Sequence, residues 1–394
     1  MVPRGGSARG REAGIPRALP GLVRGRPGLR RRPAPHPPVA LGPGGPGGAR
    51  RRGAADARGP EGGGAVIKAV KRTVKALSSV HLPDGRPNVF LYSTPRSGST
   101  WLMELIWSQP GFKTCNQPLY LESPAVRRHL GIEDWVELYS LEALPRIERY
   151  LARICQGRIG FTNPNPFRRF YRPVTRRIVF KEIHASADVA ELAAERLNCR
   201  VLYLIRHPIA VTLSTERWPT LPAFLSSDHR RHFGAEELAL AHRIVERGDR
   251  LDRGVLAWCL QNAVPLRRTG GDWAIVSYEQ LVLDPLPAIA ELARRLDLPE
   301  PERMVRRLPV PSVNVRFKST EETRRLLTEG GPGTRPYLVE KWRRKVGARD
   351  EARAMAILEA FGLDVYRAGD LLPAERYWVA DRDGAPVPGP ASGP

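Results

Sequence analysis

The chain has 394 residues, of which 63 are Lys or Arg and 41 are Asp or Glu, giving a formal net charge of +22. This length is enough for one large α/β domain or two ordinary domains. The four cysteines are scattered singly, which argues against a disulfide framework, and no Cys/His spacing predicts a metal site. The N-terminus lacks the apolar segment of a secretory signal and no apolar run could span a bilayer, so we expect a cytoplasmic protein without a transmembrane segment.

The two ends of the chain differ in composition from the middle. Residues 1–64 are mainly Gly, Pro, Arg and Ala, with almost no aromatic or β-branched side chains. Because such a composition cannot bury a core, we predict a disordered leader at 1–64, a folded domain at 65–380 and a disordered tail at 381–394. The leader's positive charge could attract polyanions, but we favour a dispensable extension and predict no specific nucleic-acid partner.

Four short apolar runs have the β-branched and aromatic content of buried parallel strands. They cover residues 89–92, 177–180, 200–205 and 273–278. Stretches with helical periodicity separate them, which predicts an α/β fold with a central parallel sheet flanked by helices. Ligands of such sheets bind where the strands end, at their carboxyl ends.

The first of these strands ends in a loop that suits an anion. Thr94-Pro-Arg-Ser-Gly-Ser-Thr-Trp101 places several hydroxyl donors, an arginine and a glycine directly before a helix. A helix N-terminus offers free N–H groups and a partial positive charge. Arg96 adds forked donors, and Gly98 has no side chain to block the anion's approach. An ordinary strand–turn–helix junction with capping hydroxyls is the alternative interpretation.

This loop resembles the 5′-phosphosulfate-binding loop of sulfotransferases, in an Arg-Ser-Gly-Ser form that is more similar to the carbohydrate-type members. These enzymes transfer a sulfuryl group from 3′-phosphoadenosine 5′-phosphosulfate (PAPS). Residues 200–214 resemble the family's 3′-phosphate-binding segment, with Arg206 and Ser214 at the matching positions. The resemblance covers roughly residues 88–365. It implies a P-loop-like architecture, PAPS as co-substrate, adenosine 3′,5′-bisphosphate as product, and no metal.

The resemblance also implies which residues contact the nucleotide. They are Arg96, Ser97, Gly98, Ser99, Thr100, Trp101, Arg206, Ser214, Tyr278, Lys341, Arg343 and Arg344. Core packing is the alternative for Trp101 and Tyr278. For the three basic residues near the C-terminus, the alternative is a solvated helix face.

Sulfuryl transfer needs a base for the acceptor's proton and cations for the charge that develops on the sulfonate and the leaving phosphate. Arg96 and Lys181 are the expected cations. Cytosolic relatives carry their catalytic His two residues after the lysine, whereas Lys181-Glu-Ile-His184 places the His one residue later. On an extended strand His184 would face the other way. We therefore predict that Glu182, in preference to His184, is the base, and Glu122 is a further candidate.

The sequence thus predicts a PAPS-dependent sulfotransferase acting on a hydroxyl of a small molecule, a saccharide or a glycolipid. A nucleotide-dependent kinase or NTPase is the second hypothesis. It is disfavoured because G-x-x-x-x-G-K-[ST] does not fit the loop and no clear acidic pair could hold Mg²⁺. A nucleic-acid-binding protein that uses the basic leader is the third hypothesis.

Overall fold

The structure, a computed structural model, describes residues 80–160, 170–216, 218, 220–268, 273–312 and 335–379. The predicted leader at 1–64 and the predicted tail at 381–394 lie outside these ranges. Among the described residues, no helix combines the length and the apolar composition needed to cross a bilayer. All four cysteines are free thiols, and three of them are buried.

The described strands form two parallel sheets. In chain order they are β1 (Val80–His81), β2 (Asn88–Ser93), β3 (Phe112–Asn116), β4 (Val174–Thr175), β5 (Arg177–Glu182), β6 (Cys199–Ile205) and β7 (Ala274–Ser277). The main sheet has five strands in the order β3-β5-β2-β6-β7, and β1 pairs with β4 in a separate two-stranded sheet. All four predicted strands are present, and every neighbouring pair of the main sheet is parallel.

The order of the strands brings three loops together. From β2 the chain moves outward to β3, returns to β5 beside β2, and then crosses to β6 on the other side of β2. Because the strands are parallel, the loops that follow β2, β5 and β6 lie at the same edge of the sheet. This reversal of strand order next to β2 is where open α/β sheets bind their ligands.

Helices cover both faces of the sheet. The described α-helices are α1 (Ser99–Trp107), α2 (Pro124–Leu130), α3 (Trp135–Leu138), α4 (Leu144–Cys155), α5 (Ala187–Arg196), α6 (Pro208–Ser214), α7 (Thr220–Ser226), α8 (Ala235–Arg247), α9 (Arg250–Arg267), α10 (Tyr278–Leu283), α11 (Pro285–Leu296), α12 (Pro301–Arg307), α13 (Arg335–Glu340) and α14 (Ala348–Ala360). The described residues also include four 3₁₀ helices, Leu141–Ala143, Asp228–His232, Lys341–Arg344 and Glu375–Tyr377.

Alternation along β2 divides the core into two layers. Phe90 and Tyr92 face a cluster that includes side chains of α4, α5, α9 and α14. Val89 and Leu91 face a second cluster with α1, α11 and α12. Every residue of β2 is buried, because helices pack on both faces of the strand. The predicted α/β fold with a helix-flanked parallel sheet is therefore confirmed.

Candidate active site

The loop after β2 has a shape that its sequence dictates. Arg96 and Gly98 both have positive φ, 68° and 92°. A Cβ atom at Gly98 would lie 2.7 Å from Cδ2 of Tyr278, so the ring of Tyr278 fills the space that a side chain would need. Glycine is required there for both reasons. The hydroxyls of Thr94 and Ser97 lie 2.5 Å apart and close the turn.

The loop leads into α1 without a side-chain cap. Gly98 is the N-cap residue, and no side chain caps the first turn of α1. Ser97 and Ser99 are buried, whereas Thr100 is half-buried and the side chain of Arg96 is exposed. Although Arg96 is exposed overall, protein atoms partly surround its guanidinium, and this desolvation and the charge of the neighbouring Arg206 both lower its pKa. The junction therefore combines an uncapped helix N-terminus with a guanidinium group, which is suited to an anion.

Arg206, directly after β6, reaches across to this loop. Its Nη1 donates a hydrogen bond of 2.8 Å to the carbonyl oxygen of Arg96. Its guanidinium carbon lies 4.2 Å from the centre of the Tyr278 ring. Its Nε is buried and has no hydrogen-bond partner among the described residues. A second cationic group is thus held beside the loop with donor capacity unused.

Trp101 and Tyr278 pack against each other beside the loop. Their ring centres are 6.3 Å apart in an edge-to-face arrangement, and both rings contact an apolar cluster that includes Leu338 and Val339 of α13. Core packing therefore accounts for part of each ring's surroundings. Ser214, in the last turn of α6, donates its hydroxyl to the carbonyl of Ala210 at 2.8 Å.

The C-terminal basic segment packs close to the end of β6. Trp342 stacks on His207, the residue after Arg206, with ring centres 4.4 Å apart. Arg343 is exposed and donates to the carbonyl of Gly369, and the guanidinium of Arg344 lies 4.7 Å from the Tyr337 ring. Lys341, the first residue of the same 3₁₀ helix, is half-buried. The segment is therefore anchored beside the sheet edge through Trp342.

Lys181, in β5, lies on the other side of the loop. Its ammonium donates to Oδ1 of Asn116 at 2.9 Å and to Oγ1 of Thr100, in the first turn of α1, at 3.3 Å. Only 3% of the residue is exposed. Burial lowers its pKa to about 8, although the adjacent carboxylate of Glu182 opposes this effect. Lys181 thus brings a buried cation to the start of α1.

Glu182 has an enclosed carboxylate. Its Oε2 accepts the backbone N–H of Leu119 at 3.0 Å, and its Oε1 accepts those of Ile183 and His184, both at 2.8 Å. The residue is fully buried, which raises its pKa against the opposing effect of these three donors. These contacts fix the turn after β5. They favour a structural role for Glu182, whereas the sequence favoured it as the base.

His184 is oriented differently from the sequence-based expectation. That expectation assumed an extended backbone, but β5 ends at Glu182 and residues 183–184 form a bend. The imidazole packs between the rings of Tyr120 and Trp135, and its buried Nδ1 has no hydrogen-bond partner among the described residues. Burial, and then the charge of Lys181, lower its pKa to about 4. The ring is therefore neutral at neutral pH.

His184 lines a pocket that opens beside the loop. The pocket is open to solvent, and its lining includes Thr94, Pro95, His184, Trp218, Trp258 and Gln261. Gln261 donates to the carbonyls of Ile183 at 3.0 Å and Ser93 at 3.4 Å, so it ties together the ends of β5 and β2. Sequence reasoning missed Trp218, Trp258 and Gln261, because no local motif marks them. Glu122 is exposed, accepts the hydroxyl of Tyr120, and does not line this pocket.

Comparison with known proteins gives one match to a family model. Residues 86–219 match the family model described as "Sulfotransferase domain", a range that contains the loop, Lys181, His184 and Arg206. The matched range covers about a third of the chain, and it supports the resemblance to sulfotransferases seen in the sequence. The co-substrate expected from the sequence, PAPS, is the sulfuryl donor of the family.

Solved structures similar to the chain include two bacterial proteins. One is the sulfotransferase domain of the olefin synthase from Synechococcus PCC 7002, with 20% identity, a TM-score of 0.36, and coverage of 72% of this chain and 98% of that domain. Another is the sulfotransferase STF1 from Mycobacterium tuberculosis H37Rv, with 14% identity, a TM-score of 0.27, and coverage of 68% of this chain and 81% of that one. Comparison with curated proteins gives no significant match.

Proposed function

We propose that this protein is a PAPS-dependent sulfotransferase, which transfers the sulfuryl group of PAPS to a hydroxyl of an acceptor bound in the pocket beside His184. One observation carries this proposal. The pocket is lined both by the anion-binding loop, through Thr94 and Pro95, and by a neutral imidazole at the end of the neighbouring strand. A hydroxyl in the pocket therefore lies between a base and the place where the loop would hold the sulfate.

The binding of the nucleotide follows from the two cationic ends of the site. The loop from Arg96 to Thr100 receives the 5′-phosphosulfate at the N-terminus of α1. Arg206, with its unused donor, receives the 3′-phosphate, and Ser214 lies on the helix that follows. Trp101 and Tyr278 flank the adenine. Lys341, Arg343 and Arg344 are the candidates for a further cation over the phosphates.

In the reaction, the imidazole of His184 accepts the acceptor's hydroxyl proton as the new O–S bond forms. The bond between sulfur and the bridging phosphate oxygen breaks, and adenosine 3′,5′-bisphosphate leaves with that oxygen. Lys181 and Arg96 stabilise the negative charge that grows on the sulfonate and on the leaving phosphate. Gln261 holds the two strand ends at a fixed separation, so it is a positioning residue.

The pocket walls bear on the acceptor. Trp218 is half-buried and presents an aromatic ring to the pocket, which opens to solvent. Such walls suit an acceptor ring with one apolar face, which is consistent with a saccharide or a glycolipid. We keep these two acceptor classes as the proposal and expect the reaction to take place in the cytoplasm.

Nucleotide selectivity tests the proposed binding mode. In isothermal titration calorimetry, the protein should bind adenosine 3′,5′-bisphosphate at least about tenfold more tightly than ATP with Mg²⁺. Arg206→Ala should weaken binding of the bisphosphate by roughly 10- to 100-fold, because it removes charge-assisted hydrogen bonds. Arg200→Ala is the matched control, since Arg200 is exposed at the other end of the same strand. Equal affinity for ATP would favour the kinase hypothesis instead.

The pH dependence of kcat/KM should report two groups of the free enzyme. Activity should rise as pH increases through about 4, because His184 must lose its proton to act as a base. It should fall as pH increases through about 8, because Lys181 must keep its proton to stabilise the sulfonate. Lys181→Arg should move the alkaline limb upward, since arginine stays protonated. An alkaline limb that is identical in this variant would exclude Lys181 as its origin.

A further inference from the structure

Three side chains with metal-ligating atoms meet away from the proposed active site. Asp188 lies in the first turn of α5, and His229 and His232 lie in the 3₁₀ helix Asp228–His232. One ligand atom from each residue lies within 4.8 Å of the others. The sequence gave no sign of this cluster, because Asp188 is separated from the two histidines by about 40 residues.

The ring of His229 is held by a hydrogen bond at Nε2, whereas Nδ1 has no hydrogen-bond partner among the described residues. Its Nε2 lies 2.8 Å from the carbonyl oxygen of Leu260 in α9. A carbonyl oxygen can only accept, so Nε2 carries the proton and Nδ1 carries the lone pair. Nδ1 is buried and has no hydrogen-bond partner among the described residues, and only 1% of His229 is exposed. Histidines that bind metals characteristically donate their other ring N–H to a carbonyl or carboxylate in this way.

The other two ligands lie at a suitable separation. Nε2 of His232 is 3.4 Å from Oδ1 of Asp188 and makes no hydrogen bond in the described structure. Ligand atoms about 2.0–2.1 Å from a tetrahedral Zn²⁺ are roughly 3.4 Å apart. Both side chains are 14% exposed, which gives an ion a path from solvent.

We propose that Asp188, His229 and His232 form a binding site for a divalent transition-metal ion, for which this donor set best suits Zn²⁺. Two imidazoles and one carboxylate leave the fourth position of a tetrahedral ion for water. Hard cations such as Mg²⁺ prefer oxygen ligands and are disfavoured. The ion has a structural role, because it would bind α5 to the 3₁₀ helix, whose His229 is already held by α9.

One neighbouring group competes with the ion. Nη2 of Arg231 donates to Oδ1 of Asp188 at 2.7 Å, and its positive charge opposes a cation. The side chain of Arg231 is 32% exposed, so it can turn toward solvent when the ion binds. Removing Arg231 should therefore strengthen metal binding, whereas removing a ligand should weaken it.

The site is connected to the acceptor pocket through one tyrosine. The ring of Tyr139 packs against that of His229, with centres 6.1 Å apart. Its hydroxyl donates to the carbonyl oxygen of His184 at 2.6 Å. An ion that holds His229 in place therefore supports the backbone that carries His184.

The test uses the full chain, purified with a chelator and then titrated with ZnCl₂. We expect one Zn²⁺ per chain by calorimetry and a rise in Tm of roughly 5 °C at 100-fold excess over Kd, which EDTA reverses and MgCl₂ does not reproduce. X-ray absorption should find only nitrogen and oxygen ligands. Sulfur ligands would place the ion on cysteines and overturn the proposal, as would the absence of stoichiometric binding.

Variants assign the ion to these residues. His232→Ala should weaken Zn²⁺ binding by at least about tenfold. This variant should fold, because His232 is partly exposed and lies at the surface. Arg231→Gln should tighten binding. His242→Ala is the matched control, since His242 is exposed on α8. Unchanged affinity in both His232→Ala and Arg231→Gln would overturn the proposal.

Discussion

Replacing His184 by Gln should lower kcat by about 10²–10⁴-fold, which is the usual contribution of a positioned general base. Binding of adenosine 3′,5′-bisphosphate should stay nearly unchanged, because in the proposed mechanism the imidazole contacts the acceptor and not the nucleotide. The measurement is steady-state kinetics with labelled PAPS and an acceptor identified by screening, together with calorimetry for the product. A variant that retains most of its kcat would exclude His184 as the base.

Glu182→Gln provides the comparison that separates the two candidate bases. The carboxylate accepts three backbone N–H groups, and an amide would turn a donor toward at least one of them. We expect a loss of about 1–3 kcal/mol in the free energy of unfolding, with kcat largely retained below the lowered Tm. The reverse result would be a Glu182→Gln variant that loses kcat at an unchanged Tm and a His184→Gln variant that stays fully active. This result would support Glu182 as the base, as the sequence predicts.

Lys181→Met should have the second large effect. The variant removes the ammonium that lies beside Thr100 and keeps most of the side-chain volume. We expect kcat to fall by about 10²–10³-fold, as when a single charge-stabilising donor is removed from an active site. Affinity for adenosine 3′,5′-bisphosphate should fall much less than kcat, because that product has lost the sulfonate and lacks the charge that develops during the transfer. Equal losses in kcat and in product affinity would make Lys181 an ordinary phosphate ligand.

Lys113→Met is the matched control for this variant. Lys113 lies in β3, the strand next to β5, and burial also lowers its pKa to about 8. Lys113 precedes Asn116, the hydrogen-bond partner of Lys181, by three residues. Along β3 the two residues are therefore about 10 Å apart. The same chemical change there should leave kcat within about twofold. A large loss in this control would indicate that removing any buried charge from this side of the sheet impairs activity.

The sequence predicted the strands that are buried on both faces. Residues 89–92 and 201–205 are continuous apolar runs because helices cover both sides of the sheet. The strand Phe112–Asn116 was missed, because it is the edge strand and only Phe112 and Cys115 are buried. Strands of two residues, such as Val80–His81, are too short to produce a periodic pattern.

The candidate site could be predicted only where it is local in sequence. The anion loop and Arg206 are each adjacent to the end of a strand, so strand prediction also located them. The orientation of His184 depends on the residue at which β5 ends. The pattern of apolar residues in the sequence does not show where that end lies. The pocket's Trp258 and Gln261 come from the middle of α9, and only the packing of that helix on the sheet brings them to the loop.

The hydrogen bond between Arg206 and the carbonyl of Arg96 has a consequence for affinity. This bond joins the proposed binding sites for the two phosphate ends of the donor. Binding at one site therefore does not require the other site to be formed anew. The second phosphate then binds at the effective concentration set by the nucleotide itself, without a further loss of translational freedom. Adenosine 3′,5′-bisphosphate should therefore have a far lower Kd than either adenosine 3′-phosphate or inorganic phosphate has at its own site.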